Sequence, residues 1–349
     1  MSPTRHPWNP LRANTRTAAC RISPRLSSPP FDRSVNLLSI VQPLAGILVV
    51  DLTRNLPGPF ASRELLRLGA RVVRLEAPDG DPLREAAPEW DKALNGGKES
   101  VLWDRVRDPG LGPALCGRAD VVLEAFRPGV TERLGVGPGD VPDRVVYCSI
   151  TGFGADDRRA GHDLNYMGWA GALEPTAPAM PPLPVADLAA GALTTVSRVL
   201  AALLERERTG RGARIVVSMT DGAHELAQFA GPLTGALACY RIYECADGRF
   251  LTVAALEPKF WQRLCELVER PDLVPRQNDA HTELEALFRT RSMHDWLQLF
   301  DGEDVAVGPV ATLLEASREL DRPETGAEPP RLGQHTDAWR AALGLESSD

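Results

Sequence analysis

An imidazole and two carboxylates are the groups in this chain best spaced for proton chemistry. His162 and Asp163 stand side by side in Gly161-His162-Asp163-Leu164-Asn165-Tyr166, just after the loop Ile150-Thr151-Gly152-Phe153-Gly154, and Asp187 follows in Pro184-Val185-Ala186-Asp187-Leu188. Moving a proton on and off carbon needs a base on one face and an acid on the other, and an imidazole with a carboxyl group supplies both. The apolar neighbours of Asp187 (Val185, Ala186, Leu188, Ala189 and Ala190) favour its neutral form. Taken alone, His162 also reads as a buried hydrogen-bonded histidine, and Asp163 as the cap of a helix beginning at Leu164.

The elements that must position these groups read as alternating strands and helices. Residues 47–52 are a short apolar run typical of a strand buried on both faces, and a Thr-Arg-Asn-Leu-Pro-Gly-Pro turn at 53–59 and a helix over 60–68 follow. Gly69 closes that helix and residues 71–76 form a second strand, which makes a βαβ unit. Further strands are expected at 100–103, 120–126, 145–150 and 214–219, with a short helix ending at Leu134 and a long one over 189–208. The expected fold class is therefore α/β, a Rossmann-like parallel sheet. Its ligands bind beyond the carboxyl ends of the strands, where Asn55, Lys98, Arg127 and Gly152 to Gly154 fall. No G-x-G-x-x-G is present, so a nicotinamide or flavin cofactor is not indicated.

From Tyr240 the pattern changes. Two strands flank Asp247-Gly248, read as a type I′ hairpin, and helices are expected near 258–269, 282–291 and 293–300. The chain thus divides into a 1–43 extension, a large domain over 44–235, a smaller α+β domain over 240–310, and a remaining 311–349 segment. The extension is rich in Arg, Ser and Pro, with Asp32 its only acid, and reads as disordered or as a start placed too far upstream.

The chain has 349 residues, of which 43% are hydrophobic and 25% charged, enough for a sizeable core. A net charge of -8 argues against a nucleic-acid binder, so any phosphate-bearing ligand must meet a local basic cluster. The six cysteines form no C-x-x-C pair, which fits reduced thiols in the cytoplasm. The other histidines have no metal-ligand spacing, and no apolar run reaches the length of a membrane span.

Several blocks, in order, resemble CoA-transferase family III (the CaiB/BaiF family), which includes the α-methylacyl-CoA racemases. They are Pro43-Leu44-Ala45-Gly46 with Asp51-Leu52-Thr53, Pro57-Gly58-Pro59, Leu68-Gly69-Ala70-Arg71-Val72, Asn95-Gly96-Gly97-Lys98, and Phe126-Arg127-Pro128-Gly129 with Glu132-Arg133-Leu134-Gly135. Gly152-Phe153-Gly154, Gly161-His162-Asp163, Asp247-Gly248 and Leu332-Gly333-Gln334-His335-Thr336 complete the series. The resemblance implies an acyl-CoA thioester as partner, with CoA as part of the substrate and no other cofactor. It also implies a large domain built from both chain ends, to which 311–349 returns, and an interlocked homodimer with its active site between the large domain of one subunit and the small domain of the other.

Asn55, Leu56, Lys98, Arg127, Arg133, Gly152 and Gly154 become the expected CoA contacts. His162 and Asp187 match the acid–base pair of the racemases, and Glu257 the carboxylate that pairs with the histidine. Asp163 matches the nucleophile of the transferases, which attacks the thioester to give a mixed anhydride. With His162, Asp187 and Glu257 all present, a racemase acting at C2 is the expectation. A transferase and a binding protein without turnover are the alternatives. The chain departs from the family in a short 221–240 segment, in Ala77 and Gly96 where arginine is frequent, and in a glycine-rich loop reduced to Ala189-Ala190-Gly191.

Overall fold

The computed structural model describes residues 42–320 and 327–345; the expectation for the N-terminal extension falls almost wholly outside them. From residue 41 onward the chain clusters as one unit. Six parallel strands are built from β1 (Leu48–Asp51), β2 (Arg71–Glu76), β3 (Glu99–Leu102), β4 (Val121–Glu124), β5 (Val146–Thr151) and β6 (Arg214–Ser218). Their order is β3-β2-β1-β4-β5-β6, so the direction of winding reverses between β1 and β4. A crevice opens at such a reversal, beyond the carboxyl ends of the two strands.

Both faces of the sheet are covered, which is why its strands read as unbroken apolar runs. Successive side chains of a strand point to opposite sides. Val49 and Val72 pack with α1 (Pro57–Arg67) on one face, whereas Val50 and Val73 pack with α4 (Leu111–Arg118) on the other. Between them, α2 (Leu83–Ala86) and α3 (Pro88–Asn95) connect β2 to β3, and α5 (Val130–Arg133) follows β4. After β5 come α6 (Asp163–Trp169), a π-helical segment over Ala186–Leu193, and α7 (Thr194–Thr209). Then β6 leads into α8 (Met219–Ala227).

The long helix expected over 189–208 begins three residues earlier and opens with the π-helical turns that carry Asp187. Wider turns of this kind are uncommon and concentrate at functional sites. Close packing accompanies them: a side chain at Gly191 would meet Met219 at 2.9 Å, and one at Gly222 would meet Ala190 at 2.9 Å. Together Ala186–Thr209 make 24 helical residues apolar enough to cross a membrane, contrary to the reading of the sequence as lacking such a run. Ala192, Val199, Ala202 and Leu203 of this helix pack in the core beneath the sheet.

The second sheet is antiparallel, β7 (Tyr240–Glu244), β8 (Phe250–Ala254) and β9 (Val307–Pro309), in that order. It packs on α9 (Pro258–Leu267), α10 (His281–Phe288) and α11 (Met293–Phe300) around a separate core centred on Tyr243, Trp261, Phe288 and Trp296. The hairpin turn differs from the expected type I′. Cys245 N–H donates to Arg249 O at 2.8 Å, Gly248 N–H donates to Cys245 O at 3.1 Å, and only Gly248 of the turn has positive φ, +73°. That is a three-residue loop closed by a left-handed glycine, because Asp247 keeps the negative φ ordinary for an L-residue.

After α12 (Leu313–Glu319) the chain returns to the parallel sheet. Leu102 N–H donates to Thr336 Oγ1 at 2.9 Å, and His335 N–H donates to Ser100 O at 2.8 Å. These contacts satisfy the free edge of β3, which would otherwise offer unpaired backbone to another chain. Trp339 of α13 (Thr336–Leu343) is buried in the core on the same side. Gly96 permits the return to pass, since a Cβ there would lie 2.0 Å from the Ala327 carbonyl oxygen. An arginine at 96 has no room in this chain.

Candidate active site

A cavity of about 710 Å³ occupies the crevice at the winding reversal. The turn after β1 contributes Thr53, Arg54 and Asn55, and the turn after β4 contributes Phe126, Arg127 and Pro128. The β5 loop adds Gly152 and Gly154, and the far wall holds His162, Tyr166, Asp187 and Met219.

Each turn is held by its own polar anchor. Asp51, buried at the end of β1, accepts from Thr53 N–H at 2.9 Å and from the Ser62 hydroxyl. Lys98 completes this knot: its ammonium donates to Pro59 O (2.8 Å), Ser62 Oγ (2.7 Å) and Asn95 Oδ1 (2.8 Å) and lies 3.8 Å from Asp51. Burial pushes the Lys98 ammonium down to about 7, with Asp51 acting the other way. The knot bends the chain so that Asn55 takes a left-handed conformation, φ +66°, which asparagine tolerates. After β4, Glu124 accepts from Phe126 N–H at 2.7 Å and fixes the start of the Arg127 turn.

On the far wall, His162 is the N-cap residue of α6, with its N–H donating to Asn165 Oδ1 at 3.1 Å. Asp163 is therefore not the cap expected of it but sits one residue inside the helix. Its Oδ1 accepts from the backbone N–H of Asp187 at 2.9 Å. Tyr166 packs beneath the β5 loop, where a side chain at Gly152 would meet its ring at 2.5 Å. Burial pushes the Asp187 carboxyl up to about 7, and the neighbouring Asp163 carboxylate adds to the effect. A carboxylic acid that is still protonated near neutrality faces the same cavity as an imidazole, which is the equipment for proton transfer on two sides of one carbon.

The expected residues divide by position. Asn55, Arg127, Gly152, Gly154, His162 and Asp187 line the cavity; Leu56, Lys98, Arg133, Asp163 and Glu257 do not. Lys98 is enclosed by protein acceptors and positions the β1 turn, so it does not stand at the ligand edge. Leu56 is half-buried behind the same turn, and Arg133 is exposed on α5. Glu257 is the exposed N-cap residue of α9, in the lobe of the second sheet. Arg54, Asp157, Arg159 and Tyr166 line the cavity without having been singled out in the sequence. The signal for Arg159 was its place in Arg158-Arg159-Ala160-Gly161, immediately before His162. Among the described residues, no three His, Cys, Asp or Glu side chains group to hold a metal ion.

Residues 44–328 match the model of CoA-transferase family III. The chain belongs to this family. Its relatives there include the human alpha-methylacyl-CoA racemase, 33% identical over 320 residues, covering 81% of this chain and 82% of the relative. A probable fatty acyl-CoA transferase of Mycobacterium tuberculosis is also 33% identical over 316 residues, covering 74% and 80%. A crystal structure of that mycobacterial protein superposes with TM-score 0.72 at 30% identity, covering 86% of this chain and 99% of the other. A family member from Brucella suis gives TM-score 0.73 at 26% identity, covering 87% and 100%. Membership makes the chain an α/β enzyme of this family acting on acyl-CoA. Racemases and transferases both stand among the relatives at similar identity.

Proposed function

We propose that the chain is a 2-methylacyl-CoA racemase, interconverting epimers by removing and returning the proton at C2. One observation carries the reading: His162 and Asp187 both face the cavity, whereas Asp163 is absent from its lining and spends one carboxylate oxygen on the Asp187 backbone. With the thioester carbonyl between them, one group takes the α-proton, the enolate forms, and the other returns a proton to the opposite face. For one epimer the neutral imidazole takes the proton and protonated Asp187 returns one; for the other the Asp187 carboxylate takes it and the imidazolium returns one, the pair sharing a single proton in both cases. Arg127, which has no ion-pair partner among the described residues, and Arg54 supply positive charge for the CoA phosphates.

The reading includes a dimer. Glu257 belongs with His162 chemically but stands on the other lobe, away from the cavity. A second subunit that brings its own Glu257 to His162 would orient the imidazole. The second reading is a CoA transferase, supported by the mycobacterial relative and by the match of Asp163 to the transferase nucleophile. Hydroxylamine separates the two, because it traps an aspartyl anhydride. The protein incubated with a 2-methylacyl-CoA and hydroxylamine is expected to leave Asp163 unmodified by mass spectrometry. A hydroxamate on Asp163 would overturn the racemase.

A further inference from the structure

Residues 155–160 form the outer wall of the cavity beside His162, contributing Asp157, Arg159 and Ala160 to its lining. Among the described residues, this loop makes no backbone hydrogen bond to any other element; its nearest anchors flank it, Gly154 N–H donating to Thr151 Oγ1 at 3.0 Å and the Tyr166 hydroxyl donating to Gly161 O. The loop is instead held by one side chain. The Arg159 guanidinium lies 4.0 Å from the centre of the Phe153 ring and 4.7 Å from that of Trp169. Its edge is taken up within the loop by Asp157, through Nη2 at 2.8 Å and Nε at 3.0 Å. Planar guanidinium on aromatic faces is an adaptable contact that breaks and reforms without leaving a buried charge. Trp169, on α6, is 69% exposed, and the Arg159 guanidinium covers one side of its ring. Gly154, with φ +108° and open space around it, is a pivot at one end of the loop.

We infer that residues 155–160 are a lid over the acyl end of the cavity, and that Arg159 seated between Phe153 and Trp169 is its latch. Seated, the latch closes the wall beside His162; released, it lets an acyl chain in or out. Arg159 and Trp169 are positioning residues, acting on the loop and not on the reacting carbon. The inference depends on the acyl-CoA reading only for the choice of ligand.

Trypsin reads the latch directly, because Arg158 and Arg159 are themselves cleavage sites and the ends of the fragments identify them by mass. Wild type, Trp169→Leu and Trp169→Tyr are compared at one folded concentration, with and without isobutyryl-CoA, whose binding is measured in the same samples by equilibrium dialysis. The ligand-free Trp169→Leu protein is expected to be cut after 158 or 159 roughly two- to five-fold faster than wild type, with Trp169→Tyr close to wild type. Bound isobutyryl-CoA is expected to slow cleavage in wild type more than in Trp169→Leu. Equal ligand-free rates in all three proteins overturn the latch. Ligand that binds and leaves the wild-type rate unchanged overturns the lid. Absence of binding counts against the acyl-CoA reading, and the latch is then judged on the ligand-free rates.

Discussion

At the scale of single residues the account rests on Asp187 being protonated near neutrality. Its carboxyl is raised to about 7 by burial first and by Asp163 second. The equilibrium between epimers does not depend on pH, so both directions of racemisation share one pH profile, and both weaken as pH rises through about 7 and the pair loses the proton that Asp187 holds. Initial rates of racemisation from the two epimers, measured separately between pH 5.5 and 8.5 (a span of roughly 1.5 units on each side of a midpoint near 7), are expected to fall together above about 7. The same shift carries a stability consequence. A raised carboxyl costs the fold stability as pH climbs from the unfolded value towards the folded one, and that cost is complete above the folded value. Asp187→Asn is thus expected to raise the melting temperature above pH 7.5 and to leave it nearly unchanged near pH 4, as thermal unfolding at the two pH values would reveal (thresholds placed roughly at the two ends of the titration window).

At the scale of elements, the cavity is shaped by turns whose anchors lie behind them. Lys98 is the clearest case. Its sequence position, after a glycine turn and before β3, suggested a phosphate contact; its side chain runs inward to Asp51, Ser62 and Pro59. Spacing along a chain shows that a residue sits near a sheet's edge, not which way its side chain runs. Lys98→Met leaves Asp51 without its counter-charge, so chemical denaturation is expected to show a loss of about 3 kcal/mol or more. By contrast, Arg127→Ala removes a cation from the cavity wall and is expected to raise the KM for an acyl-CoA with little change in denaturation midpoint. The strands were legible because burial on both faces leaves runs such as Val49-Val50 and Val121-Val122. The π-helical turns around Asp187 were not, because an Ala-rich stretch reads the same in α- and π-helix and the choice is made by contacts of Gly191 and Gly222 with neighbouring segments.

At the scale of the molecule, the winding reversal between β1 and β4 sets where the cavity opens, and the C-terminal return closes the edge at β3. The order of βα units pointed to the carboxyl ends of the strands without a strand order, so the reversal itself was not legible, and the family resemblance implied a large domain built from both chain ends. What one chain lacks is the carboxylate expected beside His162: Glu257 stands on the second lobe, away from the cavity. If two subunits complete each other's sites, His162→Ala and Glu257→Gln chains, each impaired alone, regain activity when co-expressed, because one mixed site carries both native residues. Activity of the mixture no greater than that of its parents would contradict the shared site.

The central claim is proton transfer at C2 between His162 and Asp187. Its most direct test is deuterium incorporation into a 2-methylacyl-CoA of defined configuration in heavy water, read by mass spectrometry and chiral analysis. Wild type is expected to introduce deuterium at C2 with inversion, and His162→Ala and Asp187→Ala to lose roughly two to four orders of magnitude in rate. Absence of exchange in wild type, or exchange that survives both substitutions, would contradict the account.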